Sequence, residues 1–279
     1  MTDPWLFVYE AYVPEEEGLR EALCTLGNGC FATRGAGAEA SADDVHYPGC
    51  YLAGGYDRLE TEIAGKVIEN EDLVNLPNWL PLNFRPEGGE WFDLAKVEIL
   101  AYRQELNLRE GVLTREVGFK DRQGRESVLI NRRLVHMGYP HLAAQRLELR
   151  PVNWSGRVEV RSALDGRVIN AGVDRYKKLS SGHLEPLGTS ASGDLIQLKA
   201  QTVQSELRIA LSARTALFSG GRTLKAESKV AAEKAFVGRV FKVRAVQGRP
   251  LAAEKIVSLH SSRDKAISEC LLASEKDVR

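Results

Sequence analysis

The sequence contains no apolar run approaching the roughly twenty residues needed to cross a bilayer. It has no excess of charge: 38 basic residues balance 38 acidic ones, so no net field steers the chain toward nucleic acid or a membrane surface. Cysteine is scarce and irregularly placed. Cys24, Cys30, Cys50 and Cys270 show no CxxC spacing and are too few to staple 279 residues, which fits free thiols in a reducing compartment. The opening MTDPWLFVYEAY has neither the basic nor the apolar region of a secretory signal. The expected location is therefore cytoplasmic, where the sequon Asn153-Trp154-Ser155 has no meaning.

Motifs for several chemistries are also missing. His46, His136, His141, His183 and His260 form no HxxxH or HExxH arrangement, and His183-Leu184-Glu185 imitates the HxE of zinc deaminases without its PCxxC partner. No GxSxG elbow is present. Gly35, Gly37 and Ala40 spell GxGxxA, but no buried strand precedes them and no long helix follows, so a dinucleotide site is not expected. No metal and no cofactor are expected.

What the chain does contain is strand. Its first hundred residues are irregular and rich in Gly, Pro, Asn and aromatics, with a short helix expected over residues 15–23. From about Val97, Leu113, Val117 and Phe119 alternate with polar or small neighbours, and further runs follow at Ser127–Val135, Leu142–Leu149, Val158–Ala163, Leu195–Val203, Leu207–Ala213, Phe236–Val246 and Leu251–His260. Short links containing Gly, Asp or Asn join most of them, which points to large antiparallel sheets and an all-β fold. Val158–Tyr176 is expected to be a hairpin turning at Asp165-Gly166, with Arg161, Asp165, Arg167, Asn170, Asp174 and Arg175 crowded on it. After His260, Ser261–Asp264 offers a helix N-cap and Ala266, Ile267, Cys270 and Leu271 recur at helical spacing, so an amphipathic helix is expected to dock on something that follows.

Several motifs in order resemble the N-terminal domain of glycoside hydrolase family 65, which includes maltose, trehalose and kojibiose phosphorylases and related α-glucoside hydrolases. They are Leu26-Gly27-Asn28-Gly29 with Thr33-Arg34-Gly35, Pro48-Gly49 with Gly54-Gly55-Tyr56-Asp57, Asn75-Leu76-Pro77-Asn78-Trp79, Gly111–Arg115, and Ser162–Gly166 with Asn170, Arg175 and Tyr176. Ser261-Ser262-Arg263-Asp264 is similar to the family's strand-to-linker junction, whereas His136-Met137 departs from the serine that many members place before the methionine. The resemblance implies a galactose-mutarotase-like super-sandwich over residues 1–260. It further implies the start of a helical linker over 261–279, leading to an (α/α)6 barrel that lies outside this chain and holds the family's catalytic glutamate.

Under that resemblance no catalytic residue falls in this chain. The expected role is to support the barrel, to lend a loop to the active-site rim and to supply homodimer contacts. The parent enzyme would take an α-linked glucose disaccharide, with inorganic phosphate as co-substrate if it is a phosphorylase. The loop His46–Asp57 suits a rim, because tyrosine faces with polar tips line sugar pockets well. Tyr47, Tyr51, Tyr56, Asp57 and Trp79 are the rim candidates, with a buried anchor as the other role for Trp79. Arg161, Asp165, Asn170 and Arg175 are candidates for structural or interdomain fastening. Two other readings stay open: a stand-alone carbohydrate-binding module, and a sandwich enzyme of the aldose-epimerase kind.

Overall fold

The computed structural model describes residues 3–171, 179–264 and 269–279. Its largest sheet has ten strands, every pair antiparallel. Across the sheet they run Leu6–Tyr9, Glu98–Asn107, Val112–Lys120, Glu126–Val135, Leu142–Pro151, Leu251–Ser261, Arg208–Ser219, Leu195–Thr202 and Leu184–Ser192, and Arg222–Leu224 adds to Arg208–Ser219. A second antiparallel sheet stacks on its inner face, in the order Glu227–Glu233, Phe236–Ala245, Gly156–Asp165 and Leu82–Pro86. The fold is thus the expected all-β sandwich.

Alternation decides which face each strand buries. Along Val112–Lys120, Leu113, Val117 and Phe119 point inward, as their spacing predicts. Phe241, Val243 and Ala245 do the same opposite exposed Lys242 and Arg244. Two clusters fill the space between the sheets. One gathers Leu76, Trp79, Leu80, Leu164, Leu198 and Ile209; the other stacks Phe84, Phe92 and Phe119 with ring centroids 4.8–6.3 Å apart. Lys255 is fully buried between the sheets and donates to the Trp79, Ala163 and Pro81 carbonyls at 2.5, 2.6 and 3.2 Å.

The expected hairpin at Val158–Tyr176 does not form among the described residues. Gly156–Asp165 is a strand, but it is already paired with Phe236–Ala245 on one edge and Leu82–Pro86 on the other, so no edge is left for a returning strand. Gly166 instead donates its amide to Ala235 O, and a methyl group there would meet that oxygen at 3.2 Å. Asp174, Arg175 and Tyr176 lie outside the described residues.

The first hundred residues hold more order than their composition suggests. The helix Pro14–Leu23, a small sheet of Leu26–Gly27, Phe31–Thr33 and Cys50–Leu52, and a hairpin of Tyr56–Ile63 with Lys66–Leu73 cover one end of the sandwich. At the C-terminus the helix Cys270–Val278 begins at an N-cap where the Glu269 side chain accepts from the Leu271 amide, later than the expected cap at Ser261–Asp264. Its buried side docks back on the outer face of the large sheet through Ser212–Ser274 and His260–Asp277 contacts. Among the described residues no helix is long and apolar enough to cross a membrane.

Candidate functional site

The loop that carries the tyrosines is built from buried polar bonds. Glu21 is buried on the helix Pro14–Leu23; its carboxylate accepts from His46 Nδ1 at 2.8 Å and from the Tyr47 amide at 2.9 Å. Arg34 Nε donates to Tyr47 O at 2.9 Å while its guanidinium lies 5.3 Å from the Tyr47 ring centroid. Gly49 is a point of close approach: a Cβ there would fall 2.6 Å from the Tyr51 hydroxyl and 2.7 Å from Arg34 Cδ. Only glycine fits without displacing one of them.

Two asparagines complete the frame. Asn75 Oδ1 accepts from the Cys50 amide at 3.0 Å, and Asn75 Nδ2 donates to Ile169 O at 3.2 Å. Asn170 Oδ1 accepts from the Asn75 amide at 2.8 Å, and its Nδ2 donates to Leu73 O at 2.9 Å. The Tyr47 hydroxyl donates to Ile169 O and accepts from the Ala171 amide. Tyr47 and the distant segment 169–171 therefore meet on one surface, with Tyr51 four residues further along the same loop. Burial, reinforced by Tyr47, pushes the Tyr51 phenol up, so it is a neutral hydrogen-bond donor at ordinary pH.

The other expected residues divide. Tyr56 is 49% exposed beside this surface. Trp79 is 1% exposed and Asp57 1%, so both are withdrawn from any rim: the indole is packed among leucines, and the carboxylate is enclosed by protein donors. Arg161 stacks over Trp91 at 4.3 Å, with Arg85 over the same ring at 4.6 Å. Asp165 is bridged by Arg167 at 2.8 Å, which also reaches Glu233 at 2.6 Å. Arg175 lies outside the described residues. Trp91 was not among the expected site residues, yet with Arg161, Arg85, His46 and Ser41 it lines a cavity of about 490 Å³ next to the tyrosine loop. Its signal, a tryptophan after Gly88-Gly89, is one that loops and cores share. Indole, guanidinium and hydroxyl groups in one cavity suit a hydroxyl-rich ligand.

Asp57 shows what holds the exposed hairpin in place. Its Oδ1 accepts from the Gln204 and Ser205 amides at 3.0 and 2.7 Å, and Oδ2 meets His183 Nδ1 at 3.1 Å. His183 Nε2 in turn meets Asp72 Oδ2 at 3.2 Å. Burial pushes the Asp57 carboxyl up, but the Ser205 amide, His183 and the Gln204 amide together hold it below the ordinary value. A depressed carboxyl stabilises the fold above the unfolded pKa of about 3.9, and that contribution is lost as pH falls through the folded value. Asp57→Ala is expected to lower stability by about 1–3 kcal/mol at pH 7 by leaving those donors without an acceptor, and to flatten the acid limb of the stability curve. Urea unfolding at pH 7 and below pH 4 checks it: an unchanged acid limb would show that the carboxylate is not the tie.

Strand order, stacking and the buried polar frame define a large antiparallel β-sandwich domain with aromatic loops gathered at one end. The profile of "Glycosyl hydrolase family 65, N-terminal domain" matches residues 7–279, and the chain belongs to that family. An uncharacterized glycosyl hydrolase of Mycobacterium tuberculosis is 40% identical over 274 residues, which cover 98% of this chain and 21% of that protein. Kojibiose phosphorylase of Thermoanaerobacter brockii is 26% identical over 271 residues, covering 94% of this chain and 33% of the enzyme. A solved structure named as a candidate kojibiose phosphorylase from the human microbiome superposes over 100% of this chain and 35% of its own with a TM-score of 0.82 at 19% identity, which establishes the shared fold. The chain thus spans between a fifth and a third of the length of these curated relatives.

Proposed function

We propose that this chain is the non-catalytic N-terminal domain of an enzyme that cleaves α-glucosidic disaccharides by inverting phosphorolysis or hydrolysis. Inorganic phosphate is the co-substrate in the first case. The domain supports a following catalytic barrel, lends the Tyr47–Tyr56 loop to the rim of that barrel's sugar pocket and supplies homodimer contacts. The observation that carries this reading is the Tyr47–Tyr51 surface. Tyr47 is fixed from both ends by Arg34 and residues 169–171, so a partly exposed aromatic surface is presented in a single position. Rigid presentation of an aromatic ring lowers the entropy lost when a sugar binds.

The chain alone is expected to release neither glucose nor glucose 1-phosphate from trehalose, maltose or kojibiose; release of either overturns the non-catalytic role. In the full-length protein, Gly49→Ala pushes Tyr51 or Arg34 aside and is expected to reduce kcat/KM about tenfold or more, mainly through KM. Unchanged KM and kcat in both Gly49→Ala and Tyr51→Ala would sink the rim assignment. A stand-alone module would instead give saturable sugar binding by the chain in calorimetry, which is not expected.

A further inference from the structure

His141 and His260 lie side by side where Leu142–Pro151 begins and Leu251–Ser261 ends, their rings stacked with centroids 3.9 Å apart. Each ring has one nitrogen committed. His141 Nδ1 lies 2.9 Å from Leu259 O, which can only accept, so Nδ1 carries the proton and Nε2 the lone pair. His260 Nε2 lies 2.8 Å from Asp277 Oδ2 of the C-terminal helix, so in the neutral ring Nε2 donates and Nδ1 carries the lone pair.

Both lone pairs face the same carboxylate. His141 Nε2 is 3.8 Å from Asp264 Oδ1, and His260 Nδ1 is 3.5 Å from Asp264 Oδ2. One ligand atom from each of the three side chains lies within 4.8 Å of the other two. His260 is 4% exposed, and its Nδ1 is buried without a hydrogen-bond partner. The carboxylate is itself anchored: the Ser261 amide donates to Asp264 Oδ2 at 2.6 Å. Two lone pairs and an anion converging in a mostly buried space repel one another unless a proton or a metal cation sits among them.

We propose that His141 Nε2, His260 Nδ1 and the Asp264 carboxylate bind one divalent transition-metal cation of the Zn²⁺ class. Two imidazoles and one carboxylate are borderline ligands that suit Zn²⁺ and leave a position open to water. The Leu259 carbonyl and the Asp277 carboxylate act as the outer partners that fix tautomer and ring orientation in histidine metal sites. Zn–N distances of about 2.0–2.1 Å require the donors to close on the ion, so binding turns the rings out of their stack about these outer bonds. Because Asp277 belongs to the helix Cys270–Val278, the ion would also clamp that helix onto the sheet end. Asp264 stands four residues from His260, and His141 is distant in sequence, so no short ligand motif announces the set.

The test is calorimetric titration of ZnCl₂ into the untagged, metal-free 279-residue chain, with Co²⁺ absorption as a second readout of the ligand field. One ion per chain is expected to bind. Binding should be lost in His141→Ala and in the isosteric Asp264→Asn, and retained in Cys30→Ser. Asp277→Asn, which removes only the outer partner, should weaken binding about 10–100-fold. Unchanged circular dichroism of the metal-free variants separates loss of the site from loss of the fold. No saturable binding by the wild-type chain overturns the site. So does binding that survives in both His141→Ala and Asp264→Asn, or that disappears in Cys30→Ser while persisting in His141→Ala.

Discussion

Lys255→Met is expected to lower the stability of the chain by about 2–5 kcal/mol, because it leaves the Trp79 and Ala163 carbonyls without their amine donor in the buried space between the sheets. Methionine matches the lysine stem in length, so little of the loss comes from a cavity. The Pro81 carbonyl suffers less, since the Ala163 amide also donates to it at 2.9 Å. Burial pushes the Lys255 amine well below its ordinary value. The sign of the pH dependence follows. Below the folded pKa both folded and unfolded chains hold the proton, and the expense of burying the charge is fully present. Between the folded pKa and the unfolded value of about 10.4 the unfolded chain binds more protons, so stability rises with pH. Urea unfolding of wild type and Lys255→Met from pH 7 to 10 checks both parts: the wild type gains stability relative to the variant as pH rises. A variant as stable as wild type at pH 7 would show that the three carbonyls do not depend on this donor.

Lys255 also marks the limit of pattern reading. Alternation along Leu251–His260 places position 255 on the inner face, but a lysine there reads as solvated until the opposing loop and strand are known to turn three carbonyls toward it. The middle of the large sheet, from Val112–Lys120 across to Leu195–Thr202, was legible because Val, Leu, Ile and Phe alternate along strands that bury one face; Leu6–Tyr9, Leu184–Ser192 and Arg222–Leu224, short or largely exposed, were not. The Tyr56–Ile63 and Lys66–Leu73 hairpin was not, for two physical reasons. Both strands mix polar and apolar residues on each face, and their turn is Ala64-Gly65, with φ of 51° and 76°, in place of the Asn-Gly or Asp-Gly that announces such turns. The Val158–Tyr176 hairpin failed in the opposite way: Asp165-Gly166 has the right letters for a turn, but distant segments had already taken both edges of the strand.

The candidate surface was half legible. Tyrosines, glycines and prolines between His46 and Asp57 signalled a loop needing outside support, and Tyr47 does receive it from Arg34 and from the backbone of Ile169 and Ala171. Composition could not distinguish a supported aromatic from a buried one. Trp79 and Asp57 belong to the interior because leucines from two sheets close over the first, and the Gln204 and Ser205 amides over the second. The pairing of His183 with Asp57 spans 126 residues and depends wholly on the docking of the hairpin against the large sheet.

Glu39→Ala is expected to cost about 3–5 kcal/mol, the range for stripping one partner from a buried ion pair. Glu39 sits in the loop between Phe31–Thr33 and Tyr47, and Arg115 points inward from Val112–Lys120; their side chains are 7% and 6% exposed and directly bonded. Burial pushes the Arg115 guanidinium down, and the Glu39 carboxylate, with Tyr102 adding to it, more than offsets that, so the guanidinium stays charged in the fold. Arg133 nearby is pushed down to about 10 by burial and by the Arg115 charge, so an unpaired Arg115 would face a second guanidinium. Replacing both partners, Glu39→Leu with Arg115→Leu, is expected to recover most of the loss, because no isolated charge then remains. Thermal unfolding of Glu39→Leu, Arg115→Leu and the double variant gives the coupling. Gly37 supplies an independent route to the same pair: a Cβ there would lie 2.5 Å from Arg115 Nη1 and 2.8 Å from Glu39 Oε1, so Gly37→Ala should lose stability in wild type and much less in the double leucine variant. If Gly37→Ala were equally damaging in both, the close approach and not the ion pair would be what fixes the loop. If the coupling is as large as expected, the Glu39–Arg115 pair is what anchors the base of the tyrosine loop to the large sheet, and a rim residue's position is set by charges buried behind it.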